Sequence, residues 1–124
     1  MKFFFSLVLI VYCLLPVASL AQAKPEFRGV WVATVDNIDW ASNKNLNSDS
    51  QKVEFIKLLD MHQRNGMNAL IVQIRPATDA FYPSQYEPWS EFLTGTQGQP
   101  PVPYYDPLEF MITETHKRGM EFHA

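Results

Sequence analysis

From residue 28 to the C-terminus, apolar runs alternate with segments whose apolar positions recur every three or four residues. Arg28-Gly29-Val30-Trp31-Val32-Ala33-Thr34-Val35 is nearly continuous and β-branched, which predicts a strand buried on both faces, as parallel strands are. A polar loop over Ser42 to Asp49 follows. Ser48 and Gln51 then have the spacing of a capping box and open a helix. Val53, Ile56 and Leu59, widened by Phe55 and Leu58, mark its apolar face, and Asn65-Gly66 supplies a left-handed stop. A second strand runs from Met67 to Ile74 and ends at Arg75-Pro76, because proline removes a ladder donor. Asp106-Pro107-Leu108-Glu109 starts a second helix, with Asp106 as cap, Pro107 in the first turn and Glu109 closing a box. Leu108, Met111, Ile112 and Thr115 form its face. Gly119 stops it, and Met120 to Ala124 begins a third strand.

The order β-α-β-α-β predicts parallel strands joined by right-handed crossovers. Two α/β architectures have that order, a (β/α)8 barrel and an open doubly wound sheet. The loop after strand one, Asp36-Asn37-Ile38-Asp39-Trp40, has no glycine, which weakens a dinucleotide-binding sheet. A barrel needs about 250 residues, against 124 here. The expected fold is therefore a parallel (β/α)8 TIM-type barrel, present as its first β-α-β-α-β portion. The two helix exits resemble each other, with basic residues, glycine and then a strand, as any helix-to-strand turn selects. The connection from Ala77 to Tyr105 is long and rich in Pro and Gly, and it carries no period. Its length marks it as functional and its aromatic residues argue against disorder.

The N-terminus reads as a secretory leader. Lys2 is followed by an apolar run from Phe3 to Leu15, and small residues precede a cut after Ala23. A membrane span needs about 20 apolar residues, and this run is shorter and broken by Pro16. Tyr12 before Cys13 argues against lipidation. Residues 1–23 are thus assigned as signal peptide and 24–124 as the N-terminal portion of the barrel domain. Cys13 is the single cysteine, so the mature part has no disulfide or thiolate chemistry. Export without disulfides suits a bacterial periplasm or cell exterior. The formal charge of −3, with no basic stripe, makes nucleic acid and anionic membrane surfaces poor candidates as partners. No stable membrane insertion is expected once the leader is removed.

Several ordered motifs resemble the family-10-like glycosyl hydrolases, a group of bacterial secreted proteins. Arg28 to Ala33 resembles that family's first strand. Leu70 to Pro76, with Asp79-Ala80-Phe81-Tyr82-Pro83, resembles its second strand and following loop. Tyr104 to Leu108 and His116 to Ala124 resemble its second helix and third strand. The resemblance covers about residues 26 to 124. It implies a TIM-type barrel that hydrolyses glycosidic bonds, with a bacterial glycan as substrate, cell-envelope peptidoglycan strands included. It also implies an acidic motif near the end of a fourth strand, beyond Ala124.

In parallel barrels the site lies at the C-terminal ends of the strands. Strand one delivers Asp36, Asn37 and Asp39 there, strand two delivers Gln73, Arg75 and then Asp79, and strand three delivers His123. Glycoside hydrolysis usually needs two carboxyl groups flanking the bond. Asp36 and Asp79, from neighbouring strand ends, are the candidate catalytic pair, although aspartates in such places also serve as turn acceptors. Arg75 is expected to pair with Asp79 or Asp36, or to bind a sugar group. Gln73 and His123 are further substrate-binding candidates. No second His or Cys lies at ligand spacing, so no metal is expected, and nothing implies a cofactor. His62 and His116 sit in last helical turns, where a basic group meets the dipole. Aromatic rings offer faces for sugar C–H groups. Tyr82, Trp89 and Trp40 are the rings expected to line the cleft, with Trp31 in the core. A non-catalytic glycan-binding barrel and an inactive partial chain are the alternatives.

Overall fold

The computed structural model describes residues 26–124; the leader expected over residues 1–23 lies outside the described residues. Three short strands, β1 (Gly29–Val32), β2 (Ala69–Val72) and β3 (Glu121–His123), form one parallel sheet in the order β1-β2-β3. The connections hold α1 (Ser48–Arg64), the short α2 (Glu91–Thr94) and α3 (Pro107–Lys117), with a 3-10 turn at Val35–Asn37. Element order and pairing agree with the sequence reading. The strands are shorter than expected at both ends. Among the described residues no helix is long and apolar enough to cross a membrane.

Side chains alternate across the sheet. Val30, Val32, Leu70, Val72 and Phe122 face one way and meet Phe55 and Leu59 of α1 and Met111 of α3, which form the core. The opposite face carries the register row Trp31–Ile71–His123. Trp31 is 57 % exposed there. Among the described residues no helix covers that face, in contrast to the double burial expected of strand one and the core place expected of Trp31. The described helices cover a single face of the sheet.

Two helix details also differ from expectation. The cap of α1 is Asn47, whose side chain accepts from Ser50 N (2.9 Å). Ser48 instead donates its hydroxyl to the Pro103 carbonyl, and Gln51 is buried in the interior. The buried stripe of α1 is Ser48, Gln51, Phe55 and Leu59, while Val53 is half exposed. Tertiary bonding won over the capping box because Ser48 and Gln51 each find a distant partner. At α3 the expected cap holds, since Glu109 N donates to Asp106 (3.1 Å). The Glu109 side chain makes no return bond among the described residues. Met111 and Thr115 are buried as expected, with Leu108 and Ile112 half-buried. Gly66 (φ +80°) and Gly119 (φ +67°) take the left-handed stops.

Arg118 joins the two long helices. Its guanidinium donates to Asp60 of α1 (2.7 Å) and to Glu114 of α3 (3.0 Å). These contacts hold the Glu114 carboxyl below its ordinary range, through hydrogen bonds from Lys117 and Arg118. The Arg118 pKa is raised, chiefly by its bond to Asp60.

Candidate active-site edge

Each helix runs back from the C-terminal ends of the strands, so the loop after β1 and the connection after β2 share one edge of the sheet. Gln73 fixes that edge. Its Oε1 accepts from Thr34 N and Val35 N (3.2 Å each), and the Thr34 hydroxyl donates to the Gln73 carbonyl. The first strand is thereby clamped to the second just where both end. The Gln73 Nε2 makes no bond among the described residues.

Beyond the clamp the backbone turns through left-handed conformations at Asp36 (φ 54°), Asn37 (φ 54°) and Thr78 (φ 55°). Asp and Asn tolerate this region, but for a β-branched threonine it is a genuine outlier. Such residues cost about 1–3 kcal/mol each and gather at functional sites. Asn37 is held by donating to the Ala41 carbonyl (2.8 Å) and the Phe92 carbonyl (2.7 Å). Asp39 accepts from Ala33 N (2.7 Å) and closes the same loop. Asp36 is left exposed, with no side-chain hydrogen bond among the described residues.

The other candidates separate by burial. Asp79 is 1 % exposed. Its Oδ1 accepts from Ala77 N (3.1 Å), the turn role open to any aspartate, whereas Oδ2 is buried without a partner among the described residues. The two carboxylates expected to face one cleft therefore lie in different environments, and no hydrogen bond links them. Arg75 pairs with Glu87, not with Asp79 or Asp36 as expected. Glu87 also accepts from the Ser84 hydroxyl, whose oxygen in turn receives Tyr86 N and Glu87 N (3.1 Å each). Glu87 was missed because it lies between Tyr82 and Trp89 in a segment with no period to mark it. His123 contacts Glu121 (3.1 Å) and packs edge-on to Phe27.

Of the three rings expected at the cleft, Trp40 is placed in the core. It is 1 % exposed, donates from Nε1 to the Gln51 carbonyl (3.0 Å) and packs against Phe55 and Phe81. Tyr82 and Trp89 are half-buried, and Trp89 meets Tyr104 edge-on at 6.3 Å. Among the described residues the most exposed ring is Tyr86, at 91 %. The long connection is ordered by an Ala80–Trp89 bridge and by α2, which Ser90 caps. Beneath it, Gln51 Nε2 donates to Leu46 O (2.9 Å) and Leu93 O (2.8 Å), and its Oε1 accepts from Tyr105 (2.7 Å). Burial, reinforced by the charge of Asp106, pushes the Tyr105 phenol well above its ordinary value. His62 is lowered by burial, with the charge of Asp39 opposing. Among the described residues no three His, Cys, Asp or Glu side chains gather as a metal site.

A parallel α/β sheet whose βα connections build one polar and aromatic edge, with an exposed aspartate at the end of its first strand, defines a site-bearing α/β protein. The chain belongs to the glycosyl hydrolase-like 10 family, which it matches over residues 26–124. It is 56 % identical over 124 residues to glycosyl hydrolase YngK of Bacillus subtilis (strain 168), covering 99 % of this chain and 24 % of that protein. It is 40 % identical over 116 residues to glycosyl hydrolase DigH of Escherichia coli (strain K12), covering 88 % of this chain and 26 % of that one. The chain thus spans about a quarter of the length of these curated relatives.

Proposed function

We propose that the chain is the front of an exported bacterial glycoside hydrolase of the (β/α)8-barrel type, acting on O-glycosidic bonds of a cell-envelope glycan such as peptidoglycan strands. Membership of the glycosyl hydrolase-like family carries this reading. In a closed barrel the Trp31–Ile71–His123 row becomes inner wall, and the edge built by the βα connections becomes the mouth. Asp36 is the exposed carboxylate without a local bond there, with the free Gln73 Nε2 beside the strand ends to hold a sugar hydroxyl. Hydrolysis needs an acid and a base or nucleophile, about 5–5.5 Å apart for retention or about 6.5–9.5 Å for inversion. Asp79 lies behind the surface, and on this reading a further carboxyl group comes from beyond Ala124.

The test uses the full-length protein on purified peptidoglycan glycan strands, with new reducing ends as readout. Wild type is expected to release them. Asp36→Asn is expected to lower turnover at least a hundredfold, the scale of positioned acid–base groups, with the melting temperature unchanged. Asp79→Asn keeps the Oδ1 acceptor for Ala77 N, so a similar loss there would mark a catalytic carboxyl group and wild-type turnover a turn residue. Wild-type turnover in Asp36→Asn would remove Asp36 from the chemistry. One observation favours a second reading, non-catalytic glycan binding: at this edge Asp79 is buried, while Asp39 and Glu87 are engaged in local bonds. Binding of glycan without any reducing ends from the wild type would establish it.

A further inference from the structure

The connections after β1 and β2 meet in a groove of about 300 Å³, at the lower end of ordinary ligand-pocket volumes. Its walls are residues 45–47 just before α1, Gln51 within it, and residues 94 and 99–102 of the long connection. None of the residues lining it is charged. By contrast, the groove between α1 and α3 is lined by Lys52, Asp106, Glu109, Glu114 and Lys117. Asn45 and Gln99 bring side-chain amides that make no hydrogen bond among the described residues, and Pro100 and Pro101 add C–H surface.

Hydrogen bonds tie the groove's walls together. Gln51 draws the Leu46 and Leu93 carbonyls to one side chain, while Ser48 N donates to Val102 O (3.3 Å). Gly95 adopts φ +82°, and a Cβ there would meet the Asn45 amide oxygen at 3.0 Å. The absent side chain leaves Asn45 its place at the groove. Each amide offers both a donor and an acceptor, which suits a hydroxyl or acetamido group and gives no preference for an ion.

We propose that this groove is a subsite for one neutral sugar unit of the glycan, held by the Asn45 and Gln99 amides. The inference rests on the glycan reading of the preceding section. It is tested by calorimetric titration of the full-length protein with non-hydrolysable, sulfur-linked chito-oligosaccharides, from the disaccharide to the hexasaccharide. Affinity is expected to step up at the length that first reaches the groove. The Asn45→Ala/Gln99→Ala double variant is expected to lose about tenfold on the longer ligands alone, the worth of one or two neutral hydrogen bonds. Both residues are exposed, so the fold tolerates their truncation. A step that survives the double substitution overturns the subsite and leaves the glycan reading standing. Absence of binding at every length, in both proteins, overturns the two together.

Discussion

Replacing Gln51 with leucine removes a side chain of similar size whose amide is fully engaged. The Leu46 carbonyl, the Leu93 carbonyl and the Tyr105 hydroxyl each lose a partner. The bond to Leu46 is half-buried and water can replace it, whereas the other two are buried. A stranded buried group costs about 1–3 kcal/mol, so two cost about 2–6 kcal/mol. Leucine recovers part of that through its apolar surface, leaving a net loss of about 2–4 kcal/mol. Urea unfolding of the full-length protein, followed by fluorescence, reads this directly, because Trp40 donates to the Gln51 carbonyl. With a slope of about 2 kcal/mol/M, the midpoint should fall by roughly 1–2 M.

A double-mutant cycle with Tyr105 makes the argument sharper. Tyr105→Phe alone leaves the Gln51 oxygen unpaired and should cost about 1–2 kcal/mol. In the Gln51→Leu background the same change removes a stranded hydroxyl and should cost nothing or stabilise. The coupling should lie within the 0.5–3 kcal/mol found for residues in one network. Gln51→Glu adds a pH signature. A buried carboxyl has a raised pKa, so the folded state prefers the protonated form, and the variant should lose further stability as pH rises. Additive changes in the cycle, or a Gln51→Glu variant whose stability does not move with pH, would refute this account of the residue.

Three further outcomes are expected. The raised pKa of Tyr105 means its contribution is fully present below the ordinary phenol value of 10.0 and is lost as pH rises beyond it; alkaline melting curves should flatten in Tyr105→Phe. The depressed Glu114 works the opposite way, contributing above the ordinary value of 4.5 and losing that contribution as pH falls. Arg118→Gln should therefore reduce the acid sensitivity of unfolding, with a loss of about 1 kcal/mol or less at neutral pH for these partly exposed pairs. Gly95→Ala should destabilise by about 1–2 kcal/mol in thermal melts, the cost of a left-handed backbone with a Cβ, and should displace Asn45.

What was legible in the chain was whatever depends on near neighbours. The Asp106-Pro107 start of α3 and the glycine stops at Gly66 and Gly119 are satisfied within a few residues, and all three stand where the pattern put them. The start of α1 is the counterexample. Asn47 and Ser48 are both good caps, and the choice fell to Asn47 because Ser48 is recruited by Pro103, 55 positions away. The shift of the helix face has the same origin: Phe55 and Leu59 are in the core as read, while Val53 turns outward. Val53, Ile56 and Leu59 repeat correctly, but the interior takes Gln51, a polar residue that hydrophobic counting rejects and that distant carbonyls satisfy.

The site followed the same division. Asp36, Gln73 and Arg75 stand just past the ends of β1 and β2, a position that needs only the element order. Which partner each finds, and which ring faces solvent, is decided by the long connection folding back. Thus Arg75 reaches Glu87, Trp40 turns inward to Gln51, and Tyr86 stands out on a loop pinned by Ser84 and Glu87. The pinning fixes where a large ring is offered to solvent, and Gln73 fixes the strand ends it overlooks. An edge with both parts held has its geometry set before a ligand arrives, and the ordering cost of binding is correspondingly lower. On the proposed reading, that is the property a glycan-processing site would need from its front portion, whether the attacking carboxylate is Asp36 or a group supplied elsewhere.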